Sequence, residues 1–171
     1  MSFASLLAIL LVLSVFFLLA IAIMGVVIFY LLRSKPRPTV AQKADHVAYQ
    51  VSDLKKAVDF YTDQLGLNLL STNIDEDHHE AFAFVELDGC NLELLQMLDE
   101  DNKPLPMLKK EISPPYCPHF AIKTDDMDKL VRMLREKGIP IVKGPLEIPG
   151  SVRWIYLHDP DNNVIEFVQW L

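Results

Sequence analysis

From Leu6 to Leu32 the chain carries no charged side chain, a run of 27 residues. About 20 apolar residues suffice for a helix to cross the hydrocarbon core of a bilayer, so the pattern predicts one membrane-spanning helix within an anchor over 1–34. A cleaved leader has a basic start and a shorter apolar core. Here MSFAS is uncharged and the apolar run is long, which predicts a permanent single-pass anchor. The first cations, Arg33, Lys35 and Arg37, flank only its C-terminal side. The positive-inside bias then places the globular part of the chain on the cytoplasmic side of the membrane. Pro36 and Pro38 break the helical pattern and begin a linker over 35–43.

Beyond residue 44 short alternating segments replace the apolar run, and they recur. At an offset of 73 residues HVAYQVSDLKKAVDFYTDQLG aligns with HFAIKTDDMDKLVRMLREKG, and NLELLQ aligns with VIEFVQ. His46 thus maps to His119, Asp53 to Asp126, Asp88 to Asp161 and Glu93 to Glu166. Leu54, Ala57, Val58 and Tyr61, like Met127, Leu130, Val131 and Leu134, form the stripe of an amphipathic helix that packs on a sheet. Asp53 and Asp126 precede these stripes as helix caps. Each half reads as strand, helix and three strands: 45–51, 53–65, 67–74, 80–87 and 91–97, then 118–124, 126–137, 140–147, 151–158 and 164–170. The predicted fold is α+β, two tandem βαβββ modules over 44–98 and 117–171 joined by a proline-rich connector, together one domain over 44–171.

Composition narrows the partners. The chain has 16 Lys and Arg against 23 Asp and Glu, and three of those cations flank the anchor. So acidic a domain is a poor match for nucleic acid or anionic lipid. Cys90 and Cys117 are too few for a disulfide framework and read as free structural thiols of a reducing compartment. His78 and His79 fall in a charged loop and read as solvated. His158 reads as structural, and the aromatic residues, including Trp154 and Trp170, read mostly as core.

The recurring His and Glu have a different character. Alternation in HVAYQV turns Val47, Tyr49 and Val51 toward the helix and leaves His46, Ala48 and Gln50 on the other face. In HFAIK the same division sets Phe120 and Ile122 against His119, Ala121 and Lys123. A carboxylate amid apolar strand residues is costly unless a cation or hydrogen-bond donor meets it. Two imidazoles and two carboxylates, His46, Glu93, His119 and Glu166, would make a His2Glu2 set for a transition metal, with positions left open for substrate oxygens. Lys123, Lys143 and Arg153 are candidates to meet a substrate carboxylate, although surface positions suit each of them.

The helix entry DLKKAVDFYTDQLGL and the ending HDPDNNVIEFVQ resemble the vicinal oxygen chelate superfamily, which includes glyoxalase I, methylmalonyl-CoA epimerase, extradiol dioxygenases and fosfomycin and bleomycin resistance proteins. The resemblance spans 44–171 and implies metal ligands on the first and last strands of each module, at His46, Glu93, His119 and Glu166. Two His with two Glu resembles the short bacterial glyoxalase I pattern. That implies nickel or cobalt, with zinc, manganese or iron as alternatives, and a lyase acting on the hemithioacetal of a 2-oxoaldehyde and a thiol. Glu166 and Glu93 would move the proton. The resemblance also allows an epimerase, a dioxygenase or a membrane-tethered small-molecule binding module without turnover, and a homodimer with the cleft closed within one chain or between two. In the turn, Asn162 stands near where the family commonly has glycine, and Asn tolerates the same backbone conformation.

Overall fold

A computed structural model describes residues 3–33 and 44–171. The linker expected over 35–43, with Lys35, Pro36, Arg37 and Pro38, lies outside the described residues. The chain divides into two compact units, Met1–Gln42 and Lys43–Leu171. In the first, helix α1 (Phe3–Arg33) contains an apolar stretch, Ile9–Phe29, of 21 residues with a mean hydropathy of 3.1. By length and composition it can cross a membrane.

The second unit contains two four-stranded sheets. In the first module β1 (His46–Gln50), α2 (Leu54–Asp59), β2 (Leu69–Asp75), β3 (Glu80–Val85) and β4 (Asn91–Met97) form a sheet in the order β1-β4-β3-β2. The second module repeats this with β5 (His119–Lys123), α3 (Met127–Glu136), β6 (Lys143–Ile148), β7 (Val152–His158) and β8 (Val164–Trp170), in the order β5-β8-β7-β6. In each sheet the first strand runs parallel to the last, and the other pairs are antiparallel. Both helices thereby cross over one face of their own sheet, and the opposite face stays open.

The repeated residues explain this doubling. Asp53 and Asp126 accept hydrogen bonds from the amides of Lys56 (3.0 Å) and Lys129 (2.8 Å), capping α2 and α3. Gln96 bridges its strand to the start of α2, accepting from Leu54 N (3.1 Å) and donating to Ser52 O (2.7 Å). Gln169 does the same for α3 through Met127 N and Asp125 O, each at 3.0 Å. Leu54, Ala57, Tyr61, Met127, Val131 and Leu134 are buried in the core with Leu92, Leu94, Ile155, Leu157 and Ile165. One difference breaks the symmetry: α2 passes into a π-helical turn at Phe60–Gln64, and Phe60 and Tyr61 are both buried there.

That turn reaches the second module. The Tyr61 hydroxyl donates to Asp159 Oδ2 at 3.2 Å. Asp159 also accepts from the amides of Asp161 (2.9 Å) and Asn163 (2.8 Å) and from the Asn163 side chain (2.8 Å). Asp161 accepts from Ser52 Oγ (2.6 Å) and N (3.0 Å), and the Tyr49 hydroxyl donates to the Val164 carbonyl. Asn162 turns the chain with φ 65°, as expected for Asn in that turn. The expected HDPDNN turn is thus also the joint between modules. His158, bonded through Nδ1 to Asp159 O at 2.7 Å, belongs to the same turn.

Candidate functional site

Cross-strand register shows what each open face carries. In the first module Ala48 lies opposite Glu93, Glu93 opposite Phe84 and Phe84 opposite Ser71. The next row is Gln50, Leu95, Phe82 and Asn73. In the second module Ala121, Glu166, Tyr156 and Lys143 form one row, and Lys123, Val168, Trp154 and Leu146 the next. The caps and the glutamines recur to build each module. His46, His119, Glu93 and Glu166 recur on the faces opposite α2 and α3, where neither capping nor core packing requires them.

His46 begins β1. Its Nδ1 lies 2.8 Å from Asp45 Oδ1 and its Nε2 3.4 Å from Glu93 Oε2, with Phe84 edge-on at 5.5 Å. The hydrogen bond to Asp45 comes first among the causes that hold its pKa above the ordinary 6.5. His119 begins β5. Its Nδ1 lies 2.9 Å from the Tyr116 carbonyl and its Nε2 2.8 Å from Glu166 Oε2, with Tyr156 edge-on at 5.4 Å. A carbonyl only accepts, so Nδ1 of His119 carries hydrogen and Nε2 is the atom presented to the carboxylate. An imidazole nitrogen facing a carboxylate oxygen is satisfied by a proton on that nitrogen or by a cation between the two. Each half therefore offers one nitrogen and one carboxylate to a cation, the donor types of a first-row metal site.

A single chain brings these four side chains together in twos. Among the described residues no three His, Cys, Asp or Glu side chains come close enough together to hold a metal ion. A cleft of about 500 Å³ lined by Leu67, Cys90, Phe120 and Lys123 contains none of the four. The chemistry-bearing groups lie instead on open faces whose apolar residues remain uncovered: Trp170 is 66% exposed and Ile148 55%. That exposure corrects the expectation that Trp170 is core, because register places it opposite Val152 on the open face.

The other candidates separate. Arg153 turns toward α3, where Asp128 (2.8 Å) holds it, and it does not face Glu166. That pair raises the guanidinium pKa and lowers that of Asp128. Lys123 pairs with Asp125 at 3.3 Å. Lys143 stands in the row of Tyr156 and Glu166. His78 is exposed and bound to Asp75 at 2.9 Å, as a solvated loop residue would be. Cys90 and Cys117 are free, and Cys117 Sγ lies 3.7 Å from His119 Nδ1.

The profile of the Glyoxalase/Bleomycin resistance protein/Dioxygenase superfamily matches residues 43–167. The chain belongs to that superfamily. Among its glyoxalase-like relatives, "Lactoylglutathione lyase GLX1" of Arabidopsis thaliana is 32% identical over 126 residues, 72% of this chain and 43% of that protein. "Lactoylglutathione lyase" of Escherichia coli O157:H7 is 27% identical over 125 residues, 72% of this chain and 90% of that protein. The chain thus spans less than half of the plant relative and nearly all of the bacterial one. Among solved structures, a glyoxalase/bleomycin resistance protein/dioxygenase from Alicyclobacillus acidocaldarius superposes with a TM-score of 0.56 at 25% identity, covering 81% of this chain and 95% of that one. TnmS3, an antibiotic-binding protein from Streptomyces sp. CB03234, does so with a TM-score of 0.58 at 26% identity, covering 78% and 100%.

The sequence pattern missed Tyr156, Tyr116 and Phe84. Phe84 and Tyr156 are equivalent in the fold, each opposite the recurring Glu and edge-on to the recurring His. Their spacing is one residue short of the repeat offset, because nine residues separate Tyr156 from Glu166 opposite it and eight separate Phe84 from Glu93. A fixed offset pairs Phe84 with Leu157. A repeat search that allowed one inserted residue would have paired the aromatics.

Proposed function

We propose that the chain is a metal-dependent lyase of the glyoxalase I type, converting the hemithioacetal of a 2-oxoaldehyde and a thiol to the 2-hydroxyacyl thioester. The observation that carries this reading is the pair of equivalent His–Glu couples, His46–Glu93 and His119–Glu166, on the open faces of two duplicated sheets. Its class is supported by similarity to lactoylglutathione lyases. The four residues would hold a divalent transition metal, nickel or cobalt by the His2Glu2 pattern. When bound, that cation supplies positive charge to adjacent substrate oxygens. Glu166 takes the proton from the carbon bearing sulfur and returns it to the neighbouring carbon, and Glu93 faces it across the site. Both carboxylates are mostly shielded, with 18% and 15% of their side-chain surfaces exposed, which limits the loss of that proton to water.

The site is completed between two copies of the chain, the first module of one meeting the second module of the other. That pairing unites four ligands that one chain holds in twos, and it covers the exposed apolar residues of the open faces. Helix α1 anchors the chain in a membrane with the domain on the cytoplasmic side. Protease added to sealed cells should spare the domain, and digestion before lysis would refute that orientation.

The test of the chemistry is metal content beside turnover of methylglyoxal hemithioacetals for wild type and Glu166→Gln. The amide keeps the shape and removes the anionic base. Turnover should fall by ~10² to 10⁴, the usual contribution of a positioned base, while metal content falls only in part because three ligands remain. Full turnover in Glu166→Gln would overturn the assignment. Metal-free, inactive wild type that binds small molecules would favour instead a sequestration module, a reading supported by similarity to the antibiotic-binding TnmS3.

A further inference from the structure

The rings that abut the two imidazoles of the candidate metal site differ in one functional group. Each His has an aromatic ring edge-on to it: Phe84 to His46 at 5.5 Å and 79°, Tyr156 to His119 at 5.4 Å and 68°. Each ring also stands directly across the strand pair from its module's Glu. Only the second carries a hydroxyl, on the residue paired across the strands with the Glu166 to which the proton transfer is assigned.

The second ring is also supported from outside its sheet. Tyr116, in the connector, stacks on Tyr156 with centroids 4.9 Å apart and planes at 28°. Its carbonyl accepts the hydrogen bond from His119 Nδ1 at 2.9 Å. Tyr116 reaches this position with φ 63°, a left-handed conformation that a residue with a side chain adopts at a cost, and its amide closes a turn onto Ser113 O at 2.8 Å. One residue therefore fixes the imidazole at Nδ1 and holds the ring that abuts it. Contacts at its two nitrogens leave an imidazole free to tilt about the line that joins them, and a ring wedged against its edge removes that freedom. We propose that Tyr156 is a positioning residue for the second-module half of the site, its ring holding His119 and its hydroxyl holding the Glu166 carboxylate, with Tyr116 as its brace. The inference rests on the metal reading above and adds to it a division of labour between ring and hydroxyl.

The test uses the full chain in detergent with Co(II), whose visible absorption reports ligand geometry. The affinity is measured by competition with a chromophoric chelator. In Tyr156→Leu the ring is lost. The Co(II) dissociation constant should rise about 10- to 100-fold, the usual consequence of removing an outer partner of a ligand, and the spectrum should change. In Tyr156→Phe the ring remains, as in the first module. Affinity should fall less than in Tyr156→Leu, because the contact on His119 survives, while kcat falls about tenfold at unchanged KM because the carboxylate that moves the proton is held less well. If Tyr156→Leu fails to fold, Tyr116→Ala replaces it, since that change removes the brace from a surface connector, and it should shift the Co(II) spectrum in the same direction. A folded Tyr156→Leu with wild-type affinity and spectrum would overturn the proposal alone, as would Tyr156→Phe losing affinity as fully as Tyr156→Leu. Wild type that binds no Co(II) would overturn the metal reading and this inference with it.

Discussion

Two buried phenols tie the modules together, and they should not be equally important. Tyr61 is fully buried and donates to the carboxylate of Asp159, itself 1% exposed. Tyr49, 7% exposed, donates to the carbonyl of Val164. Burial pushes both phenols up, Tyr49 to about 12, so both are donors at neutral pH. Burial also raises the pKa of Asp159, and the hydrogen bonds from Asn163 and Asp161 oppose that rise. Tyr61→Phe removes a donor to a buried carboxylate, an interaction of about 1.5–3 kcal/mol, whereas Tyr49→Phe removes a neutral one of about 0.5–1.5 kcal/mol. Neither change opens a cavity larger than an oxygen atom. With a urea dependence of about 2 kcal/mol per molar, Tyr61→Phe should lower the unfolding midpoint by about 1 M and Tyr49→Phe by less than half as much. The assay is urea unfolding of the Ala44–Leu171 segment monitored by circular dichroism and tryptophan fluorescence. Equal shifts, or a larger one for Tyr49→Phe, would refute the claim that the Asp159 turn is the principal joint between modules.

Two further outcomes are expected from single positions. Gly144 has φ 108°, and a Cβ there would lie 2.8 Å from the Trp154 carbonyl oxygen and 3.1 Å from Ile155 Cα. Gly144→Ala should therefore destabilise the domain by more than the ~1 kcal/mol of an ordinary left-handed position, seen as a lower thermal midpoint, and an unchanged midpoint would contradict the close approach of β6 to β7. His78 is held above its ordinary 6.5, chiefly by its hydrogen bond to Asp75. A raised folded value means that this contribution is present in full below about pH 6.5 and is lost as pH rises through the raised value. His78→Gln should thus lower the thermal midpoint at pH 6 and leave it unchanged at pH 9; a loss at both would show that the contact is not electrostatic.

The duplication was legible because three of its demands are local. A capping Asp must precede each helix, a stripe at helical spacing must cover each sheet, and strands that are half buried must alternate. Asp53 and Asp126, Tyr61 and Leu134, and the alternation of His46 with Val47 could be read for those reasons. The four His and Glu positions stood out because they recur with no such demand behind them. What was not legible depends on distance across the fold. The partition of the four residues into couples comes from how the two sheets are set, which strand periodicity does not encode. The exposure of Trp170 comes from its register with Val152, on the face of its sheet opposite α3. Tyr116 sits in a proline-rich connector with no periodicity to read, and Tyr156 was hidden because its register with Glu166 is shifted by one residue from that of Phe84 with Glu93.

In the proposed lyase, first-module and second-module ligands meet between two copies of the chain. His46→Ala and His119→Ala chains carrying different tags, co-expressed and purified through both tags in turn, give a mixed dimer. If the site is shared, one of its two sites combines two altered modules and the other two intact ones. The mixed dimer should then hold one metal ion at wild-type affinity and show about half of wild-type turnover, while each variant alone is inactive and holds metal only weakly at three ligands. A mixed dimer as metal-poor and inactive as its parents would place each site within one chain and rule out a shared one.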